Sequence, residues 1–462
     1  MPIASVNPAT GETVQTFEPY DADAIERRLA LAEAAFHSYR DTSFDTRARL
    51  MHRAADLLDS DQEAAARIMT EEMGKPLAAA RAEAAKCAKA MRWYAEHAEA
   101  LLADEHPDPA DVSDSGAARA YVRYRPIGPV LAVMPWNFPF WQTIRFAAPA
   151  LMAGNVGLLK HASNVPRTAL AIEELFRRAG FPEGCFQTLL IGSGAVEGVI
   201  RDRRVAAVTL TGSEPAGRAV AAAAADEVKK AVLELGGSDP YVVLPSADLD
   251  AAVRTAVRAR VQNNGQSCIA AKRFIVHTDV YDRFTSAFTE AMRELRVGDP
   301  MDETTDVGPL ASRQGRDDLE ELVEDARTRG ARVECGGGRP TGWDTGYFYE
   351  PTVLTGITPA MRIHQEETFG PVATVYRVAD LDEAVALAND TPFGLSSNVW
   401  TTDQDEQERF VRDIQAGGVF FNGMTASHPA LPFGGVKRSG FGRELSGHGI
   451  REFCNVTTVW MG

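Results

Sequence analysis

The sequence predicts an α/β protein with parallel sheets covered by helices, divided into two or three domains. Three observations carry this. The chain has 462 residues, more than one hydrophobic core ordinarily organises. From Pro129 onward, short apolar runs alternate with stretches of helical periodicity, the pattern of strands joined by helical crossovers. Apolar content of 45% with charged content of 24% lies in the globular range, which argues against disorder.

The elements follow in order. Residues 21–103 are mostly helical: runs 24–36 and 46–58 place apolar residues three and four apart, with little Gly or Pro. Asp114, Ser115 and Gly116 break that pattern. Residues 120–126 alternate apolar and polar positions like a half-exposed strand, and Pro129–Met134 reads as a buried strand. Strands are expected at 155–160, 186–191, 205–210 and 231–235. Helices are expected at Pro166–Ala179, from 196 and at 216–225. A second set starts at 242–244, with helices at Leu249–Val261 and 281–295 and strands at 274–277, 353–354 and 372–376. The seam between the two sets falls near Gly236-Gly237. The β-rich tail, 453–460, needs a partner strand, and the Tyr121 region is the candidate for an intersubunit sheet.

Charge and cysteine usage exclude several classes. With 48 basic and 64 acidic residues the formal charge is -16, which repels nucleic acid and anionic membranes. Five scattered cysteines, none in a C-x-x-C pair, argue against a disulfide framework and a zinc ribbon. No metal site is expected. The N-terminal residues lack a basic segment followed by an apolar one, and the most apolar stretch, 126–141, is broken by prolines. A cytoplasmic enzyme is the expectation.

Cys268 follows Asn263-Asn264-Gly265-Gln266-Ser267 and precedes Ile269-Ala270-Ala271-Lys272. We read this as a polar, glycine-containing loop entering a helix, where exposed N–H groups lower a thiol's pKa. The other four cysteines have helix- or strand-like surroundings. A lone cysteine is more often an inert buried residue, so context makes Cys268 the candidate nucleophile and no more.

Five segments, taken together and in order, resemble hallmarks of the aldehyde dehydrogenase superfamily. They are Pro135-Trp136-Asn137-Phe138-Pro139, Leu233-Glu234-Leu235-Gly236-Gly237, Gly265-Gln266-Ser267-Cys268, Glu366-Glu367-Thr368-Phe369-Gly370-Pro371 and the run from Pro432 to Gly440. The resemblance extends from Asn7 to the C-terminal tail. It implies a Rossmann-type cofactor-binding domain (1–110 and 127–234), an α/β catalytic domain (235–443) and a small β oligomerisation element (111–126 and 444–462) that builds a homodimer or homotetramer.

The resemblance also implies the roles. Cys268 adds to an aldehyde to give a thiohemiacetal, and Asn137 stabilises its oxyanion with the Cys268 backbone N–H. Such donors are typically worth about 3 kcal/mol each; without the resemblance, an asparagine between prolines reads as a turn residue. Hydride transfer leaves a thioester, and Glu234 activates the water that hydrolyses it. A carboxyl in the apolar context Val232-Leu233-Glu234-Leu235 has a raised pKa through desolvation; its bland reading is a buried ion pair. The presence of Glu234 favours hydrolysis over transfer to coenzyme A.

For the cofactor, Thr211-Gly212-Ser213-Glu214-Pro215-Ala216-Gly217 between a strand and a helix suits pyrophosphate at a helix N-terminus, although it is not the G-x-G-x-x-G fingerprint. The resemblance carries over Trp136, Lys160, Gly212, Ser213, Gly217, Leu235, Glu367 and Phe369 as cofactor contacts, with Thr368 departing from the usual apolar residue. At Ser163, NAD-preferring relatives often carry Glu, which would repel a 2′-phosphate. Ser163 beside Lys160 therefore points to NADP, with NAD as the alternative.

Within the superfamily the chain is most similar to succinate-semialdehyde dehydrogenases. That similarity gives Arg145 and Ser427 the substrate carboxylate, whereas an Arg in an apolar stretch otherwise reads as the partner of a structural acid. Gln262 stands where several such enzymes carry a second Arg, which keeps glutarate semialdehyde and neutral aldehydes open. Ala270 replaces the second cysteine of some relatives. The competing readings are a broad-specificity aldehyde dehydrogenase and a catalytically silent binding or structural homologue.

Overall fold

The computed structural model describes residues 3–462. A hairpin of β1 (Ile3–Val6) and β2 (Thr13–Phe17) precedes four helices, α1 (Ala22–Tyr39), α2 (Phe44–Ser60), α3 (Gln62–Met73) and α4 (Leu77–Leu101). The strands β3 (Arg119–Pro126) and β4 (Pro129–Met134) lead into α5 (Pro139–Ala153), β5 (Val156–His161), α6 (Pro166–Ala179) and β6 (Phe186–Thr188). Then come α7 (Val196–Arg201), β7 (Ala207–Thr211), α8 (Glu214–Asp226) and β8 (Lys230–Glu234).

These strands make a six-stranded sheet that runs β16-β8-β7-β4-β5-β6, where β16 (Gly440–Phe441) returns from far along the chain. β16 is antiparallel to β8, and the other pairs are parallel. From β4 the chain winds outward to β5 and β6, then crosses to β7 and β8 on the other side. The order therefore reverses beside β4, and a crevice opens at the carboxyl ends of β4 and β7.

After Gly236-Gly237 the chain enters a seven-stranded sheet. Its elements are β9 (Asp239–Val243), α9 (Leu249–Val261), β10 (Ala271–His277), α10 (Thr278–Arg293), α11 (Arg313–Thr328), β11 (Arg332–Cys335), β12 (Thr352–Thr355), β13 (Val372–Val378), α12 (Leu381–Asn389), β14 (Ser397–Trp400), α13 (Gln404–Asp413) and β15 (Val419–Phe421). The order is β11-β12-β13-β10-β9-β14-β15, antiparallel only at β11–β12. The short helix α14 (Ser446–Glu452) precedes β17 (Cys454–Met461), which pairs antiparallel with β3 from Cys454↔Pro126 to Met461↔Arg119.

Local chemistry accounts for the elements nearest the crevice. α5 starts on Pro139 and ends at Gly154, whose φ of 97° suits glycine. Every residue of α5 is buried, so it runs through the core rather than over it. Its first-turn N–H groups, those of Phe140 and Trp141, donate to Glu83 Oε1 of α4 at 3.0 and 2.9 Å. No helix among the described residues is long and apolar enough to cross a membrane.

One local expectation is overturned. Ile269-Ala270-Ala271-Lys272 does not start a helix, because Ala271–His277 is β10, paired between β9 and β13. The β-branched and aromatic run that follows Lys272 prevails over alanine's helical preference.

Candidate active site

A cavity of ≈ 220 Å³ lies where the two sheets face each other. Pro135, Trp136 and Asn137 line it from the end of β4, Thr211, Gly212 and Ser213 from the end of β7, and Leu235 and Gly236 from the end of β8. The second sheet supplies Cys268, just before β10, with Glu367 and Phe369, just before β13. Carboxyl ends of one sheet thus meet amino ends of the other. Among the described residues Cys268 is the one cysteine that is only partly buried, although its thiol is enclosed.

The turn carrying Cys268 is fixed from several sides. Asn263, Asn264 and Gly265 take positive φ values of 55°, 58° and 75° in succession. Gly265 is required twice over, since a Cβ there would lie 2.3 Å from the Gly370 carbonyl. The Asn264 side chain donates to Gly74 O at 2.8 Å and Pro309 O at 3.0 Å, and accepts from Gly308 N at 2.8 Å. Arg260 Nη2 donates to Gly265 O at 2.7 Å. Lys272 Nζ, almost wholly buried, donates to the carbonyls of Ser267 at 2.9 Å and Cys268 at 2.8 Å. These contacts hold the Cys268 backbone from several sides.

Electrostatically the thiol differs from the sequence expectation. With no helix start beneath it, burial pushes the Cys268 thiol up to about 12, against the pull of Lys272 and Arg145. Beside it, Asn137 Nδ2 donates to Gln266 O at 3.0 Å, which leaves its second hydrogen for another acceptor. Glu234, at the end of β8, is fully buried, and neither carboxyl oxygen has a hydrogen-bond partner among the described residues. Burial raises its pKa well above the carboxylate range, Glu444 adds to the rise, and Arg145 and Arg443 oppose it. A buried carboxyl without partners is costly in a folded protein and marks a group kept for another purpose.

The residues that the resemblance gives to the cofactor come from both sheets. Ser213 is the N-cap residue of α8, with no side-chain cap bond of its own, so the first-turn N–H groups face the cavity end. A Cβ on Gly217 would lie 2.6 Å from Leu235 Cδ2, so glycine there lets α8 pack closely on the strand end. Lys160, on β5, is 8% exposed and its pKa is lowered by burial alone; it forms no ion pair among the described residues. Ser163 brings no negative charge to that end. Glu367 Oε1 accepts from Gly237 N at 3.1 Å and pairs with Lys272 Nζ at 3.2 Å. Phe369 meets Trp136 edge to face at 5.7 Å.

The two residues assigned to a substrate carboxylate are not brought together as expected. Arg145 lies in the middle of α5, buried, paired with Glu444 and donating to Thr211 Oγ1 at 3.3 Å. The buried Glu444 balances the Arg145 charge, the pairing expected of an Arg in an apolar stretch. Ser427 Oγ instead accepts from Lys86 Nζ at 2.7 Å. Gln262 directs Nε2 to the carbonyls of Ala259 and Ile269, at 3.4 and 3.5 Å, so it serves the backbone. Sequence reasoning missed Lys86, Thr211, Gly236, Lys272, Glu444 and Gln142 of α5, which also lines the cavity. Thr211 and Gly236 adjoin residues it found, and Lys272 follows Cys268 closely, on β10. Lys86, in an alanine-rich helix, gave no signal.

Comparison with known proteins agrees with this geometry. The aldehyde dehydrogenase family model matches residues 1–459. NADP(+)-dependent succinate-semialdehyde dehydrogenase 1 of Mycobacterium tuberculosis is 63% identical over 461 residues, covering 100% of both chains. The NADP(+)-dependent succinate-semialdehyde dehydrogenase of Mycobacterium avium is 62% identical, covering 100% of this chain and 97% of its own. Among solved structures, the succinic semialdehyde dehydrogenase of Streptococcus pyogenes in complex with NADP+ superposes with a TM-score of 0.95 at 35% identity, covering 99% of each chain. The chain belongs to the aldehyde dehydrogenase family.

Proposed function

We propose that this protein oxidises succinate semialdehyde to succinate with NADP, using Cys268 as nucleophile, Asn137 as oxyanion donor and Glu234 as general base. The observation that carries this reading is the cavity in which Cys268, the one cysteine only partly buried among the described residues, meets Asn137, Ser213 and Glu367. The substrate and cofactor rest on relatives above 60% identity whose names specify both.

The residues at the β4–β7 crevice fit a phosphorylated dinucleotide. The first turn of α8 at Gly212 and Ser213 would take its pyrophosphate, Lys160 and Ser163 its 2′-phosphate, Glu367 the nicotinamide ribose, and Trp136, Gly217, Leu235 and Phe369 its packing surfaces. When bound, the oxidised nicotinamide supplies the hydride acceptor that turns a thiohemiacetal on Cys268 into a thioester.

The chain's own groups do the rest. Cys268 Sγ, as thiolate, adds to the aldehyde carbon, and the carbonyl oxygen gains the charge that Asn137 Nδ2 and the Cys268 N–H receive. Lys272, held on the Cys268 carbonyl, favours the thiolate. In the second half-reaction Glu234 accepts a proton from water as the water oxygen bonds to the thioester carbon. The C–S bond then breaks, releasing the carboxylic acid and restoring the thiolate.

The same reading takes the β3–β17 ribbon as the surface through which copies form a homodimer or homotetramer. It places the enzyme in the cytoplasm, in keeping with five unpaired cysteines. The test is a matrix of aldehydes against NAD and NADP, read as reduced-cofactor absorbance. Succinate semialdehyde with NADP should give the highest kcat/KM, C268S should give none, and S163E should move selectivity toward NAD. A wild-type preference for NAD overturns the cofactor assignment, and equal turnover of uncharged aldehydes replaces the substrate reading with a broad-specificity one.

A further inference from the structure

We infer that Lys86, with Ser427, forms the seat for the substrate's carboxylate and is the residue that makes this enzyme select an acidic aldehyde. This rests on the reading above that the substrate carries a carboxylate, and it names the group that recognises it.

Lys86 is a largely enclosed ammonium on α4 whose hydrogen bond is to a neutral hydroxyl, Ser427 Oγ, at 2.7 Å. Its Nζ also stands over the Trp141 ring, 4.1 Å from the centroid. It forms no ion pair among the described residues. The acid one turn away on the same helix, Glu83, is engaged: it pairs with Lys75 and accepts from the Phe140 and Trp141 N–H groups. Arg145 nearby is a like charge, and it has Glu444 to itself. An ammonium withdrawn from water without a counter-ion is unfavourable unless an anion arrives to complete it.

The place is right for that anion. Lys86 Nζ over the Trp141 ring joins α4 to α5, next to Gln142 of the Cys268 cavity, and Arg145 lies one turn further along α5, its guanidinium 4.8 Å from the ring centroid of Phe433, which shares a small cavity with Ser427. Arg145 reaches toward the cavity at Cys268 as well, because it donates to Thr211 Oγ1 at 3.3 Å and Thr211 lines that cavity. Aldehyde carbon at Cys268 and carboxylate at Lys86 are the two ends of a short ω-carboxyaldehyde. Because Lys86 donates to Ser427 Oγ, the Ser427 hydroxyl hydrogen is left to donate elsewhere. An ammonium and a hydroxyl side by side offer two donors to the two oxygens of one carboxylate. The charge that Gln262 does not supply is supplied from α4.

The test compares succinate semialdehyde with butanal, which has the same number of carbons and no charge, in wild type, K86M, K86R and S427A. Charged hydrogen bonds are worth about 1.5–3 kcal/mol, so the ratio of kcat/KM for the two aldehydes should fall about 10- to 100-fold in K86M. The loss should appear mainly in KM for the acid, with partial recovery in K86R and a smaller fall in S427A. Turnover of butanal by K86M reports that the variant is folded; should K86M fail to fold, the K86R and S427A ratios decide in its place. A ratio that stays at the wild-type value in K86M, or in both K86R and S427A, overturns the assignment while leaving the substrate reading intact. Equal use of the two aldehydes by wild type overturns both.

Discussion

At the residue scale, burial raises the pKa of both Cys268 and Glu234, and each has a counterweight placed to adjust it. For Cys268 the largest counterweight is Lys272, whose ammonium sits on the nucleophile's own carbonyl. The free enzyme therefore holds little thiolate at neutral pH, and alkylation of Cys268 by iodoacetamide should accelerate about tenfold per pH unit well below about 12. Removing the cation in K272M lifts the thiol further and should slow alkylation at every such pH, while K272R should restore part of the rate. A flat profile through neutral pH would show that the thiol ionises much lower than its surroundings imply. Gly265-Gln266-Ser267-Cys268 singled out the candidate nucleophile, but its electrostatics were not legible. They depend on a strand following the turn and on Lys272 reaching back, and both are set by pairing with β9 and β13.

At the element scale, the approach of α8 to the end of β8 shapes the dinucleotide end of the cavity. Gly217 makes that approach possible, because a Cβ there would press 2.6 Å from Leu235 Cδ2, and Leu235 lines the cavity. G217A should drive the Leu235 side chain into the cavity or push the helix outward. Overpacking of this kind costs about 1–3 kcal/mol, and it should appear as a raised KM for NADP, with Cys268 alkylation in the free enzyme changed little. An unchanged KM for NADP would mean that α8 does not set the cofactor's place. Elements with strong punctuation were readable in the sequence: Pro166–Ala179 lies between a proline and Gly180, and Leu249–Val261 starts behind the capping Asp248. The β1–β2 hairpin and the helices α11 to α13 were not anticipated. The hairpin is short and its second strand is largely exposed, so no alternation of apolar and polar residues announces it. The partners of Arg145 and Ser427 were likewise out of reach of local reading, since Glu444 and Lys86 come from distant parts of the chain.

At the scale of the whole molecule, the feature that asks for another copy is the ribbon of β3 and β17. Two paired strands alone are marginally stable in water, and this pair carries Val456, Trp460 and Met461 at 60%, 54% and 44% exposure. β3 has a further bridge, from Val122 to Glu105, whereas the outer edge of β17 is unpaired among the described residues. An exposed, eight-residue edge with apolar side chains is an aggregation hazard unless a specific neighbour covers it. A second chain satisfies both needs, covering the apolar side chains and the open edge together, and closed symmetry then stops growth at a dimer or tetramer. Wild type should therefore elute as a dimer or tetramer in size-exclusion chromatography with light scattering. Introducing charge on the ribbon, in V456E together with W460E, should shift it to smaller species and lower its Tm, while the catalytic turn at Cys268, far from the tail in the chain, stays assembled and alkylatable. A monomeric wild type at micromolar concentration would show that the ribbon is tolerated bare, and the doubly charged variant would then leave the elution volume where it was.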